Sequence, residues 1–195
     1  MKKIVLLALA ASTVAVATPA SAQTVTGTIN LTGSVAPKCL VLPGNGSAFG
    51  PTAAIQLGEL ADATGKLRAS STLESQINGV AGTTARVVCT SAAPTISVDA
   101  TALATSATAT TGYDNSIDFN ANVVVTTTTG SASFDNDSGS AALPATAIGG
   151  RVANNGGDNI VITTSNFRTD NPTTDLLVAS PTYTGSIVVV IAPGA

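Results

Sequence analysis

From Val25 to Val35 the residues alternate without a break. Val25, Gly27, Ile29, Leu31, Gly33 and Val35 occupy one parity, and Thr26, Thr28, Asn30, Thr32 and Ser34 the other. Side chains of an extended strand point alternately to its two faces, so this segment carries one face of apolar residues and glycines and one of short polar residues. The apolar face demands a covering partner. A strand near an N-terminus can be lent to a neighbouring molecule, or it can pair at home as the first strand of a closed sandwich. Alternation is the same in both cases.

The chain ahead of this strand reads as a secretory signal peptide over residues 1–22. Lys2 and Lys3 form its charged start, Ile4–Val16 its apolar stretch, and Ala20-Ser21-Ala22 an A-x-A cleavage site, so the mature chain is expected to begin at Gln23. The apolar stretch is short for a membrane span. Export makes an oxidising compartment the expected setting for the two cysteines, Cys39 and Cys89. Two cysteines there most simply form one disulfide. Closing a loop of that length restricts the unfolded chain by about 4 kcal/mol. Two thiols without any histidine make a poor metal site.

Composition narrows the function. Lys and Arg number 8 and Asp and Glu 11, for a net charge of −3, which leaves no basic surface for nucleic acid. Histidine is absent, so a Ser-His-Asp or Cys-His device cannot be built. Glu59 and Glu74 are the only glutamates, no spacing picks out a carboxylate pair, and tryptophan for a sugar platform is missing. The chain is therefore expected to be neither an enzyme nor a holder of a cofactor or metal. Asp135-Asn-Asp-Ser-Gly139 opens like a calcium loop but has Thr146 where an EF-hand would place its Glu, and it reads as a turn.

Thr, Ser, Ala, Val, Gly and Asn dominate, a mixture suited to short strands and turns. Ala54–Leu60 reads as a strand with Ile55 and Leu57 on one side. Thr83–Thr90, Pro94–Asp99, Asp118–Thr128, Asn159–Thr164 and Tyr183–Ile191 read as further strands. Lys66–Asn78 fits a short helix or an irregular crossing. Residues 100–115 suit a surface loop or weak edge strand. Gly130–Ala147 reads as loop, with Asp135–Gly139 at its tip. Strands at such intervals indicate an all-β sandwich in one domain.

The order of these features resembles the pilin subunits of chaperone–usher fimbriae. Gly27-Thr-Ile-Asn-Leu-Thr-Gly-Ser-Val35 followed by Cys39 is similar to the family's N-terminal extension and first strand. Ile55-Gln-Leu-Gly-Glu-Leu60 is similar to its LG strand, and Thr84-Ala-Arg-Val-Val-Cys89 to the strand with the second cysteine. Tyr183–Ile191 is similar to its last strand. The resemblance implies an immunoglobulin-like β-sandwich over 37–195, incomplete, and a donor extension over 23–36. Val25, Gly27, Ile29, Leu31, Gly33 and Val35 would insert into a neighbour, with Gly33 at a shallow point. Tyr183, Ile187, Val189 and Ile191 would pair with a periplasmic chaperone. An outer-membrane usher and identical or related pilins are the other implied partners, and a surface fimbria supporting adhesion, reached through the periplasm, the implied destination.

Two features depart from the pattern. The chain ends Ile191-Ala-Pro-Gly-Ala195 without the family's aromatic next to the last residue, and its cysteine spacing is longer than usual. Secreted coat proteins of the spore coat U group share the signal peptide, the cysteine strands and a C-terminal Tyr-x-Gly-x-Val/Ile strand. The competing expectation is a self-contained secreted β-sandwich, either a binding module or a coat or matrix protein.

Overall fold

A computed structural model of the protein describes residues 25–42, 54–79 and 83–194. The segment read as a signal peptide, residues 1–22, lies outside the described residues. The chain divides into a unit of residues 1–34 and a unit of residues 35–195. In the first, Val25–Ser34 has no assigned helix or strand. Its large apolar side chains are open to solvent: Val25 is 94%, Ile29 87% and Leu31 90% exposed.

The second unit runs β1 (Cys39–Leu42), α1 (Ser70–Ile77), β2 (Thr84–Cys89), β3 (Thr95–Ala104), β4 (Tyr113–Asp114), β5 (Ser116–Thr127), β6 (Gly130–Asp137), β7 (Leu143–Ala147), β8 (Ile160–Arg168), β9 (Leu176–Leu177) and β10 (Thr184–Ala192). The protein is all-β apart from one short helix among the described elements. The main sheet is ordered β1-β2-β8-β5-β3-β10, with β6 also on β5 and β7 also on β3; β4 and β9 form a separate parallel pair.

Period-two patterning explains why these segments are strands. In β5 the residues Ile117, Phe119, Ala121, Val123 and Val125 are buried while their neighbours are not, and β2 and β3 repeat the pattern with Ala85, Val87 and Cys89, and with Ile96, Val98 and Ala100. β5 changes partners along its length. Its start pairs with β3 at Leu103↔Ile117, and from Asp118 onward it pairs with β8. Its inward face therefore serves two apolar clusters. Ile117, Phe119 and Ala121 join Leu73, Ile77, Ala100 and Phe167, whereas Val123 and Val125 join the β2–β3 core.

The disulfide forms as expected. Cys39 and Cys89 face each other across the β1–β2 ladder with Cα atoms 4.1 Å apart. That spacing matches the close, non-hydrogen-bonded pair of an antiparallel ladder. The hydrogen bonds flank it, with Thr90 N–H donating to Lys38 O at 2.8 Å.

Several expectations need correction. Ala54–Leu60 forms no strand, although Ile55, Leu57 and Leu60 still pack against the second cluster. Gly130–Ala147, read as loop, contains β6 and β7. β6 looked too polar to be a core strand, but Phe134 (8% exposed) and Asn136 (6%) both face inward. Asn136 is tolerated there because its Oδ1 accepts from Ala100 N–H at 2.7 Å and its Nδ2 donates to Ala141 O at 2.8 Å. Asp135 lies within β6, and Asp137 ends it and closes the turn that follows, accepting from Gly139 N–H with its carboxylate and from Ser140 N–H with its backbone oxygen, both at 2.9 Å. β3 extends to Ala104, so the stretch read as a surface loop or weak edge strand begins as strand.

The ambiguous Lys66–Asn78 segment resolves into α1, which buries Leu73 and Ile77. It also closes the edge of β8. β2 covers only Ile160 and Val161 of β8, and beyond them α1 side chains take over. Asn78 accepts from Thr164 N–H at 2.7 Å and donates to Thr164 O at 2.9 Å. Ser70 Oγ accepts from Phe167 N–H at 2.7 Å, and Glu74 Oε1 from Asn166 N–H at 3.0 Å. Asn166 stands at φ 56° where two β8 residues bulge past β5, a conformation asparagine accepts more readily than most residues.

Candidate functional site

Among the described strands, β1 and β10 stand at the two ends of the main strand order, each with one pairing partner, as β6 and β7 also have off that path. A strand with one partner leaves alternate backbone N–H and C=O groups unpaired. Beside β10 lies a groove of ≈1350 Å³. One wall is Tyr183–Val189 of the final strand segment. The opposite wall is Ala54–Ala61, with Val41 of β1. The floor is apolar: Ile77, Leu103, Phe119, Ile162 and Phe167. Phe119 and Phe167 stack there with ring centroids 5.3 Å apart, an offset geometry that gives the floor a fixed shape.

Register shows how this groove arises. Ile187, Val189 and Ile191 of β10 pair with Ala100, Val98 and Ile96 of β3. Residues directly opposite share a sheet face, so all six look toward the core. The three β3 residues are at most 2% exposed, yet their β10 partners are only half-buried. Their apolar surface is covered on the β3 side and open on the other. β1 repeats this feature: Val41, opposite Val87 in the ladder, is 46% exposed although Val87 is 2% exposed. A smaller pocket of ≈60 Å³ continues the gap past Cys39, Val41, Val87 and Ile191.

The far wall is short of hydrogen bonds as well. Ala54–Gly58 make no backbone hydrogen bond to other described residues. Only toward its end is this wall pinned, by Arg68 donating to Glu59 O at 2.9 Å and by Arg68 N–H donating to Leu60 O at 3.0 Å. Asp62 then closes a tight turn by accepting from Thr64 N–H, Thr64 Oγ1 and Lys66 N–H at 2.8, 2.7 and 3.1 Å. Those bonds, the Thr64 hydroxyl first, hold its carboxyl below the ordinary carboxylate range.

At the mouth of the groove Tyr183 is half-buried and donates to Val178 O at 2.7 Å. Burial, and then the nearby Asp114 carboxylate, push its phenol above the ordinary value. Gly185 forms a bulge where the β10 register shifts between Thr184 and Ser186. A Cβ there would stand 2.8 Å from Thr101 O and 3.0 Å from Ala102 O. Glycine lets the two backbones approach that closely.

Of the residues singled out from sequence, Tyr183, Ile187 and Val189 line the groove and Ile191 lines the smaller pocket, while Cys39 and Cys89 close the β1–β2 ladder. Val25, Ile29, Leu31 and Val35 are exposed, and a Cβ at Gly27 or Gly33 would meet nothing within 4 Å. Reading the sequence missed the groove floor. Phe167 falls three residues beyond the expected end of its strand, and Ile77 belonged to a segment of undecided structure. Among the described residues no group of three or more metal-ligating side chains is assembled.

The chain matches no protein-family model, no curated protein and no solved structure.

Proposed function

We propose that this protein is a structural subunit of a surface fimbria, an incomplete immunoglobulin-like sandwich completed by the N-terminal strand of a neighbouring copy. The observation that carries the reading is the apolar groove beside β10, bounded by unpaired backbone, in a chain that also holds an exposed alternating segment from Val25 to Val35. Strand addition uses both properties at once. Main-chain hydrogen bonds bind the strand, and alternate side chains fill the groove.

Strand order supports the immunoglobulin-like part. β1, β2, β8 and β5 run in the order of the A, B, E and D strands, and β3 and β10 in that of C and F. The next position, beside β10, is the one a donor would occupy. Val25–Val35 spans about 36 Å when extended, and nine-residue β10 about 30 Å, so the lengths agree. Left wet, the groove costs roughly 25 cal/mol for each Å² of apolar surface. This favours a periplasmic chaperone that occupies Tyr183–Ile191 until an outer-membrane usher exchanges it for a donor strand. Each copy donates at one place and accepts at another, a heterologous contact that propagates as an open filament.

The test is to isolate the mature protein with and without residues 23–34 and examine both by size and negative-stain microscopy. Filaments that require the segment support the reading. A full-length chain that remains a stable monomer at high concentration, or equal filaments from the truncated chain, overturns it.

A further inference from the structure

We propose that Asn155 is a site of spontaneous covalent modification, a slow conversion of its side-chain amide to aspartate and isoaspartate that the fold permits at this position and suppresses at Asn78. Three asparagines precede glycine: Asn45, Asn78 and Asn155. Asn45 lies outside the described residues, and the other two sit in opposite environments.

The reaction is intramolecular. The backbone nitrogen of the following residue loses its proton to water and attacks the asparagine Cγ. Nδ2 takes up a proton from water, the Cγ–Nδ2 bond breaks and ammonia leaves, giving a five-membered succinimide. Water then opens the ring at either carbonyl, to aspartate or to isoaspartate with its chain running through the side-chain carbon. No oxidant, reductant or cofactor is needed. Glycine next in sequence favours the attack because no Cβ blocks the approach and its backbone turns easily. The remaining requirement is that Cγ swing toward that nitrogen.

At Asn155 little prevents this. Asn154–Asp158 is exposed throughout. Among the described residues, the Asn155 side chain makes only a 3.4 Å hydrogen bond, accepted from Gly157 N–H. Gly156 has φ 91°, so the backbone already occupies a region open mainly to glycine. At Asn78 the same dipeptide is locked. Its amide spans Thr164, accepting from Thr164 N–H at 2.7 Å and donating to Thr164 O at 2.9 Å, with the Thr164 hydroxyl also within 3.3 Å. Asn78 N–H is itself held by Glu74 O at 2.8 Å. Cγ can reach Gly79 N only after the amide leaves β8, which exposes backbone groups of a strand residue that is 3% exposed.

The position gives the change a structural consequence. The turn leads directly into Asn159, whose buried amide joins β2 to the chain before β8. Isoaspartate adds a backbone atom four residues ahead of it. The new carboxylate also arises near Asp158, which accepts from Thr84 Oγ1 at 2.6 Å.

The experiment incubates mature full-length protein in mildly alkaline buffer, folded and in denaturant. Peptides are mapped by mass spectrometry, and isoaspartate is labelled with a specific methyltransferase. In the folded protein Asn155 should convert about tenfold or more faster than Asn78, since Asn78 must first break two buried hydrogen bonds. In denaturant the two rates should converge. Asn155→Gln, a variant at an exposed position, should remove label from that peptide while circular dichroism stays unchanged. The proposal is overturned if Asn155 keeps its amide while the denatured chain converts, or if Asn78 keeps pace with it in the folded protein.

Discussion

Replacing Leu31 by alanine separates the stability of the subunit from the stability of its assembly. Leu31 is 90% exposed in the isolated chain, so truncating it removes almost no packing there. Exposed substitutions of this kind change stability by about 0.5 kcal/mol or less. In a filament the same side chain would lie against a floor of Phe119, Phe167, Ile77 and Leu103, and burying a leucine is worth roughly 1.5–3 kcal/mol. Leu→Ala in a packed site loses about 2 kcal/mol or more once the residual cavity is included. At 1.4 kcal/mol per factor of ten, each junction should weaken about thirtyfold or more. The assay has two arms: urea unfolding of the monomer by circular dichroism, and dissociation of preformed filaments in denaturant by light scattering. An unchanged monomer midpoint with faster filament dissociation is expected. A monomer that loses more than about 1 kcal/mol while its filaments are unaffected would refute the reasoning, because Leu31 would then pack within its own chain.

Three further substitutions probe the fold that builds the groove. Asn159→Leu strands Val87 N–H, Val87 O and Ala153 O, now bonded at 2.8, 2.6 and 2.7 Å to a side chain only 1% exposed; denaturant titration should record a loss of about 3 kcal/mol or more, and a loss under ~1 kcal/mol would mean that other partners replace the amide. Gly185→Val drives a Cβ against the β3 backbone at 2.8 Å, so the variant should lose about 1–3 kcal/mol, with amide hydrogen exchange rising first along β10; unaltered β10 protection would count against the bulge. Arg168 donates to both Asp137 oxygens at 2.8 and 2.6 Å, and this bond, then the one from Gly139 N–H, holds the Asp137 carboxyl below 3.8. Because the folded value is depressed, the stabilisation is present above 3.8 and is lost as pH falls through the folded value. Arg168→Ala should raise the Asp137 pKa in a carbon-detected NMR titration, and should cost at most about 1 kcal/mol at neutral pH for a partly exposed pair. An unmoved Asp137 titration would show that the pair does not set it.

Legibility from sequence followed the size of the side chains that alternate. β5 and β10 carry runs of Val, Ile and Phe at period two, β2 is marked by its β-branched residues and its cysteine, and each was readable within a few residues. β6 was not, because two of its three inward positions are Ala132 and Asn136. An asparagine becomes a core residue only when Ala100 N–H and Ala141 O arrive to satisfy it, and both come from elsewhere in the chain. Ala54–Leu60 failed in the opposite sense. It has the alternation of a strand, and Ile55 and Leu57 do face the core, but among the described residues Ala54–Gly58 find no backbone partner, and the single bond from Arg68 N–H to Leu60 O makes no ladder.

The all-β class, the expectation of one disulfide, the poverty of charge and the lack of histidine can be read from the chain directly, since each follows from residue type and local spacing. So can the face of Val25–Val35 that needs cover. Where apolar surface is left open follows from the assembled strands alone. Ile187, Val189 and Ile191 look like ordinary core residues in the sequence, as Ile96 and Val98 do. They differ because β3 has neighbours on both sides and β10 on one. Burial of a strand depends on which strands come to lie beside it, and those contacts are set across the whole chain.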